Sequence, residues 1–137
     1  GSKPVRQEEH SAFSVLVAED NAVNVMVLRT LLERAGYHVV CVENGREAVE
    51  ELARYPFDLV LMDISMPILD GVAATQTIRS GEAEVLDPEV PIIAVTAHSM
   101  TGDRERFLEA GMSEYISKPF AKERVLELVE RFEKRRR

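Results

Sequence analysis

The sequence predicts an α/β domain built as an open, doubly wound parallel sheet. Three observations lead there. Short apolar runs alternate five times with longer amphipathic stretches. The runs at 59–62 (LVLM) and 91–95 (PIIAV) show no polar alternation. That is the pattern of strands covered on both faces, as in a parallel sheet with helices on each side. Five β–α units fit the open form, whereas a closed barrel needs eight.

Each element has its own signal. Residues 13–18 (FSVLVA) form a β-rich run that ends abruptly at Glu19-Asp20. Residues 21–35 follow a helical rhythm, with Val23, Val27 and Leu31 four apart and Leu28, Leu32 and Ala35 beside them; Gly36 supplies the stop. A second strand is expected at 38–42. A helix at 45–54 turns Ala48, Val49 and Leu52 inward. The third strand, 59–62, ends in Asp63. A short helix at 70–79 is expected to point Val72, Ala73 and Ile78 at the core, before a looser loop (SGEAEVLDPEV). The fourth strand, 91–95, ends in Thr96. A helix at 100–110 stops at Gly111, a short strand at 114–117 ends in Lys118-Pro119, and a helix at 121–132 carries Val125, Leu128, Val129 and Phe132 on one face.

Bulk properties narrow the function. The chain has 137 residues, 45% of them hydrophobic and 30% charged, which fits one domain with a real core. The domain is expected to span 13–132. Gly1-Ser2 reads as the remnant of a cleaved tag and 3–12 as a flexible lead-in. No run reaches the length of a membrane span, no signal peptide is expected, and the lone Cys41 suits a reducing, cytoplasmic setting. Residues 131–137 (RFEKRRR) hold five basic groups and one acid, net +4. The rest therefore carries −11, the two together giving the chain's −7. An acidic body argues against nucleic-acid binding, and positive charge at 133–137 suits a helix C-terminus.

The chemistry gathers where the strands end. In open α/β sheets ligands bind beyond the carboxyl ends of the strands. Glu19, Asp20, Asp63, Thr96 and Lys118 are all placed there. Three carboxylates at close range are tolerable only around a cation, and an all-oxygen donor set favours magnesium or manganese over zinc. Lys118 and Thr96 can neutralise and hydrogen-bond a phosphoryl group. Asp63, at the end of the most apolar strand, is the expected nucleophile, because a carboxylate can attack phosphorus to give an acyl phosphate.

The motifs VLVAEDN (15–21), LVLMDISMPILDG (59–71), PIIAVTA (91–97) and YISKPF (115–120) together resemble the receiver domains of two-component signalling, over nearly the whole chain. The resemblance implies a three-layered, flavodoxin-like (βα)5 sheet of order 2-1-3-4-5. It implies phosphorylation of Asp63, with magnesium bound by Asp20, Asp63 and the backbone carbonyl of Ser65, and by Glu19 through a water. Glu19 stands where aspartate is commoner. Lys118 would pair with the carboxylate and then the phosphoryl group, ahead of a cis bond to Pro119. Thr96 and Tyr115 would form a switch pair, and Ser65 and His98 would tune the lifetime of the phosphorylated state. The implied partners are a histidine kinase or histidine phosphotransfer domain, and a downstream protein meeting the face of the fourth helix, fifth strand and fifth helix. EDNAVN and MDISMPILDG are similar to receivers attached to hybrid sensor kinases.

Other classes fit less well. A phosphohydrolase with an aspartyl nucleophile would want a second acid two residues beyond Asp63, where Ser65 stands. A flavin module would want a hydroxyl-rich cradle where Glu19 and Asp20 stand. No GxxxxGK[ST] occurs. A receiver used only for binding would not need the acceptor, acids, Thr96 and Lys118 all intact. The expectation is therefore a signalling phosphoacceptor that catalyses only its own phosphorylation and dephosphorylation.

Overall fold

The structure, a computed structural model, describes residues 12–97 and 100–136. The lead-in up to residue 11, His98 and Arg137 lie outside the described residues. Five strands, β1 (Ser14–Ala18), β2 (His38–Val42), β3 (Leu59–Asp63), β4 (Ile92–Thr96) and β5 (Glu114–Ser117), form one sheet of order β2-β1-β3-β4-β5. Every pairing is parallel. The helices are α1 (Ala22–Arg34), α2 (Gly45–Arg54), α3 (Gly71–Ser80), α4 (Asp103–Glu109) and α5 (Lys122–Arg136).

Alternate side chains of the central strands enter two separate cores, because successive strand residues point to opposite faces. Val60, Met62, Ile92 and Ala94 pack with Ala48, Leu52, Ala74, Ile78 and Phe107, placing α2, α3 and α4 on one side. Leu59, Leu61, Ile93 and Val95 pack with Leu28, Leu32, Val125, Leu128 and Phe132, placing α1 and α5 on the other. Both faces of β3 and β4 are fully buried. At about 1.5–3 kcal/mol per buried large apolar side chain, these strands anchor the fold.

Some local expectations shift. In α1 the buried side chains are Leu28 and Leu32, while Val23 is 63% exposed. In α3 the inward residues are Ala74, Thr75 and Ile78; Val72 and Ala73 are only half-buried. The cause is the cap. Asp70 accepts from Ala73 N–H (2.8 Å), and buried Gly71 sets the inward face from the first turn. Helix α4 starts at Asp103, not at 100. Met100 N–H donates to Asp103 Oδ2 (2.9 Å) and Gly102 takes φ +92°, so a turn occupies those positions. The loop after α3 buries Val85 and Val90, which the polar residues around them had disguised.

Candidate functional site

The sheet order reverses between β1 and β3, since the chain leaves β1 for β2 on one side and then enters β3 on the other. Such a switch point opens a crevice at the carboxyl ends of the strands. Ala18 lies opposite Met62 in register, so Glu19 and Asp63 follow as neighbours. Glu19 N–H still donates to Val42 carbonyl (3.0 Å), extending the ladder one step and fixing the acid's backbone.

Three acids meet there. One carboxylate oxygen from each of Glu19, Asp20 and Asp63 lies within 4.8 Å of the others; Glu19 and Asp63 are buried, Asp20 exposed. Lys118, just beyond β5, crosses over β4 to join them. Its Nζ donates to Asp63 Oδ2 at 3.1 Å and lies 3.2 Å from Glu19 Oε1. Asp63 Oδ1 accepts from Ser65 N–H at 3.3 Å. The Lys118–Pro119 peptide bond is cis, and Lys118 N–H donates to the Thr96 carbonyl (2.8 Å). Thr96 is buried at the end of β4, opposite Ser117 in register. Tyr115 is half-buried, its ring 6.1 Å from that of Phe107. Ser65 is exposed on the loop after β3. An open cleft of about 690 Å³ borders the site, lined among others by Asp20, Ser65, Pro67, Asp70 and Arg106.

The electrostatics follow from crowding. Burial, above all, and then the close approach of the Asp63 carboxylate push the Glu19 carboxyl above its ordinary range. Burial alone would lower Lys118. Its hydrogen bond and charge contact with Asp63, reinforced by Glu19, outweigh that and hold the ammonium above its usual value. One ammonium against three carboxylates leaves a deficit of positive charge. Glu19 Oε1 also sits buried without a hydrogen-bond partner, since the approach of Lys118 is close enough for an ion pair but not aligned as a hydrogen bond. A hard divalent cation fits both facts: the donors are all oxygen, the charge is short, and a buried lone pair faces the site.

Three contributors had gone unassigned. Asn21 caps α1, accepting from Val23 N–H (3.0 Å) and Asn24 N–H (3.1 Å), while its own N–H holds Glu19 Oε2 (3.1 Å). Its place after the acid pair, ahead of a helix, was a usable N-cap signal. Gly71 packs directly on the backbone of Asp63 and Ile64, where any Cβ would collide. The Asp-Gly pair at 70–71 was its only trace. The third is the Glu19–Lys118 approach, which no local pattern announces.

Residues 15–130 match the response regulator receiver domain family, and the chain belongs to it. It is 41% identical over 129 residues to the signal transduction histidine-protein kinase BarA of Escherichia coli strain K12, covering 94% of this chain and 14% of that protein. It is 43% identical over 115 residues to the sensor protein GacS of Pseudomonas syringae pv. syringae, covering 84% of this chain and 13% of the relative. The chain thus spans about one-seventh of the length of these kinases. Among solved structures it is similar to the receiver domain of the sensor histidine kinase PA1611 from Pseudomonas aeruginosa PAO1, with 40% identity, a TM-score of 0.79, and 89% and 98% of the two chains covered. That structure has a magnesium ion coordinated in its active site cleft. Among the described residues, no helix is long and apolar enough to cross a membrane.

Proposed function

We propose that this receiver takes a phosphoryl group from a phosphohistidine onto Asp63, within a phosphorelay that includes a hybrid histidine kinase. The observation that carries this reading is the Lys118 ammonium 3.1 Å from the Asp63 carboxylate, inside a cluster of three acids. A carboxylate oxygen of Asp63 attacks phosphorus as the P–N bond to the donor imidazole breaks. The electron pair leaves with the imidazole nitrogen, which takes up a proton. Magnesium, or manganese, would be held by Asp20, Asp63 and the Ser65 carbonyl, with Glu19 through a water, and would neutralise charge on the transferring oxygens. Lys118 supplies the remaining positive charge from the opposite side.

The new dianion needs partners that the free carboxylate did not. Thr96 is placed at the neighbouring strand end to donate to it. Movement of Thr96 would be felt by Tyr115, half-buried against Phe107 of α4. The face of α4, β5 and α5 therefore reports the state of Asp63 to a downstream protein. A groove of about 430 Å³ there is lined by Arg104, Tyr115, Ser117, Pro119 and Arg124, among others. Ser65 and His98 would set the lifetime of the acyl phosphate. The donor is a histidine kinase or histidine phosphotransfer domain. The domain, 13–132, acts on the cytoplasmic side, with no role in nucleic-acid or membrane binding and no turnover of a separate substrate.

Asp63→Asn tests the reading. The wild-type chain should be labelled by a small acyl-phosphate donor in magnesium, and the variant should not. Equal labelling of the two would refute the assignment.

A further inference from the structure

The chain from Ile64 to Asp70 forms one wall of the cleft beside the acids, with Ser65, Met66 and Pro67 among its lining residues and Asp20 lining it as well. This wall is strained. Ile68 has φ +70°, a left-handed conformation that is an outlier for a β-branched residue. Leu69 N–H donates to the Pro67 carbonyl at 2.7 Å and closes a three-residue turn around Ile68, a rare and strained turn when the central φ is positive. The Ile68 side chain is 70% exposed, so its own packing does not hold the turn. A hold comes from the other side of Leu69. Its carbonyl accepts from the N–H of Gly45, the first residue of α2, at 2.9 Å. That approach needs a residue without a side chain. A Cβ on Gly45 would collide with the Leu69 carbonyl oxygen and lie 2.9 Å from Ala74 Cβ. This end of α2 is itself fixed: Asn44 accepts from Glu47 N–H (2.8 Å), and Glu47 accepts from Glu43 N–H (2.9 Å).

We propose that Gly45 is a positioning residue for the metal site, acting through the strained turn at Ile68. The inference rests on the proposed divalent site, in which the Ser65 carbonyl is a ligand. The first N–H groups of a helix have no partner within the helix. Here one of them is given to Leu69, and it offsets the tendency of Ile68 to relax to negative φ. Relaxation would open the turn and create slack in the loop. The loop is closed at its base by Gly71 N–H on the Ile64 carbonyl at 3.0 Å, so the slack falls between those two residues. Ser65 lies in that span, and its carbonyl would no longer be fixed in advance. Part of the metal's binding energy would then be spent on ordering the loop. By docking α2 on Leu69, Gly45 keeps the loop ordered before the metal arrives.

Hydrogen exchange and magnesium titration test this together. In the metal-free wild type the Gly45 amide should exchange at least about tenfold more slowly than an unprotected amide, although it opens its helix. An unprotected Gly45 amide overturns the proposal. Gly45→Ala should weaken magnesium binding about tenfold by titration calorimetry, at a temperature where the variant is folded. Leu52→Ala is the structural control. Leu52 is buried further along the same helix, so its loss should lower stability and leave magnesium affinity unchanged. Adding Ile68→Gly to Gly45→Ala should recover part of the lost affinity, because glycine takes a positive φ without strain. No recovery would assign the loss to the collision alone and overturn the role of the turn. Should Gly45→Ala fail to fold, Asn44→Ala, which loosens the first turn of α2 and adds nothing beside Leu69, is read instead. Weaker binding is again expected, and unchanged binding overturns the proposal. A wild type that binds magnesium while Gly45→Ala and Leu52→Ala bind it alike overturns the proposal alone. A wild type that binds none overturns the divalent site and the proposal with it. Failure of an acyl phosphate to label Asp63 in the magnesium-loaded wild type refutes the phosphoacceptor reading and leaves the role of Gly45 standing.

Discussion

Replacing Gly71 by alanine should damage the fold and the site together. A Cβ built on Gly71 would lie inside contact distance of the Asp63 carbonyl oxygen, with the Asp63 carbonyl carbon and Ile64 Cα each at 3.0 Å. All of these are backbone atoms, so no side chain can swing aside. The Gly71 N–H also donates to the Ile64 carbonyl at 3.0 Å, which ties the start of α3 to the end of β3. Overpacking a tight site costs about 1–3 kcal/mol, and rigid neighbours put this case near about 3. For a domain of this size each kcal/mol lowers Tm by roughly 3–5 °C, so the expected loss is about 10–15 °C. The matched control is Gly81→Ala. Gly81 has φ +83° and nothing within 4 Å of its would-be Cβ, so only conformational strain of about 1 kcal/mol applies. Urea denaturation of the three proteins measures both costs. Labelling by an acyl phosphate, read at a temperature where all are folded, supplies the second arm. Gly71→Ala should slow it by about a hundredfold if Asp63 is displaced by about 1 Å, and Gly81→Ala should leave it unchanged. Equal stability losses in the two variants, or normal labelling of Gly71→Ala, would show that β3 and α3 do not press on each other as described.

Lys118→Met removes the cation that already occupies the acid cluster. Divalent binding should tighten about tenfold, or about 1.4 kcal/mol, by titration calorimetry, even as phosphorylation falls; unchanged affinity would contradict competition between ammonium and metal. The Glu19 carboxyl, raised above 4.5 in the metal-free protein, makes the folded state bind more protons than the unfolded chain. Its favourable contribution is complete below about pH 4.5 and is lost as pH rises through the folded-state value. Glu19→Gln should remove that decline in urea titrations run with a chelator, and an unaltered pH profile would count against it. Arg79 donates to the Gly111 carbonyl (2.8 Å) and the Pro88 carbonyl (2.7 Å) from a half-buried position. Arg79→Met should cost about 2–3 kcal/mol in urea without changing magnesium affinity, and a loss under 0.5 would be inconsistent with those bonds.

The strands were legible because burial on both faces leaves an unmistakable apolar run, as at 59–62 and 91–95. Asp63 and Thr96 were legible as the polar residues that end such runs, and Lys118 as the residue after a shorter, more polar strand. What escaped was set by contacts distant in sequence or by local chemistry stronger than periodicity. In GVAATQTIRS the small and apolar residues are too evenly spread for a helical phase to stand out, so the pattern points Val72 and Ala73 inward in place of Ala74 and Thr75, while it places Ile78 correctly. The burial of Val85 and Val90 depends on α2, since Leu86 N–H reaches back to the Leu52 carbonyl at 3.0 Å. The approach of Glu19 to Lys118 joins the first strand to the fifth across two neighbours, and no window along the chain contains both.

The crowding of charge at the site also makes it a weak point of the fold. Glu19 and Asp63 sit at the ends of strands whose preceding four residues are apolar and buried, and their charges have one ammonium to share. Asp20, being exposed, is screened by water and adds little cost of its own. The penalty thus falls on β1 and β3, adjacent strands that both contribute to the two cores. A ligand that binds only the folded site stabilises by RT ln(1 + [L]/Kd), about 2.7 kcal/mol at a hundred times Kd. Magnesium should therefore raise Tm by roughly 10 °C at that ratio. In Asp63→Ala one buried acid is gone. The metal-free variant should melt higher than the wild type and gain less from magnesium. If the variant gained as much, the metal would not be answering the charge that Asp63 contributes, and the account of Glu19, Asp63 and Lys118 as one electrostatic unit would fail.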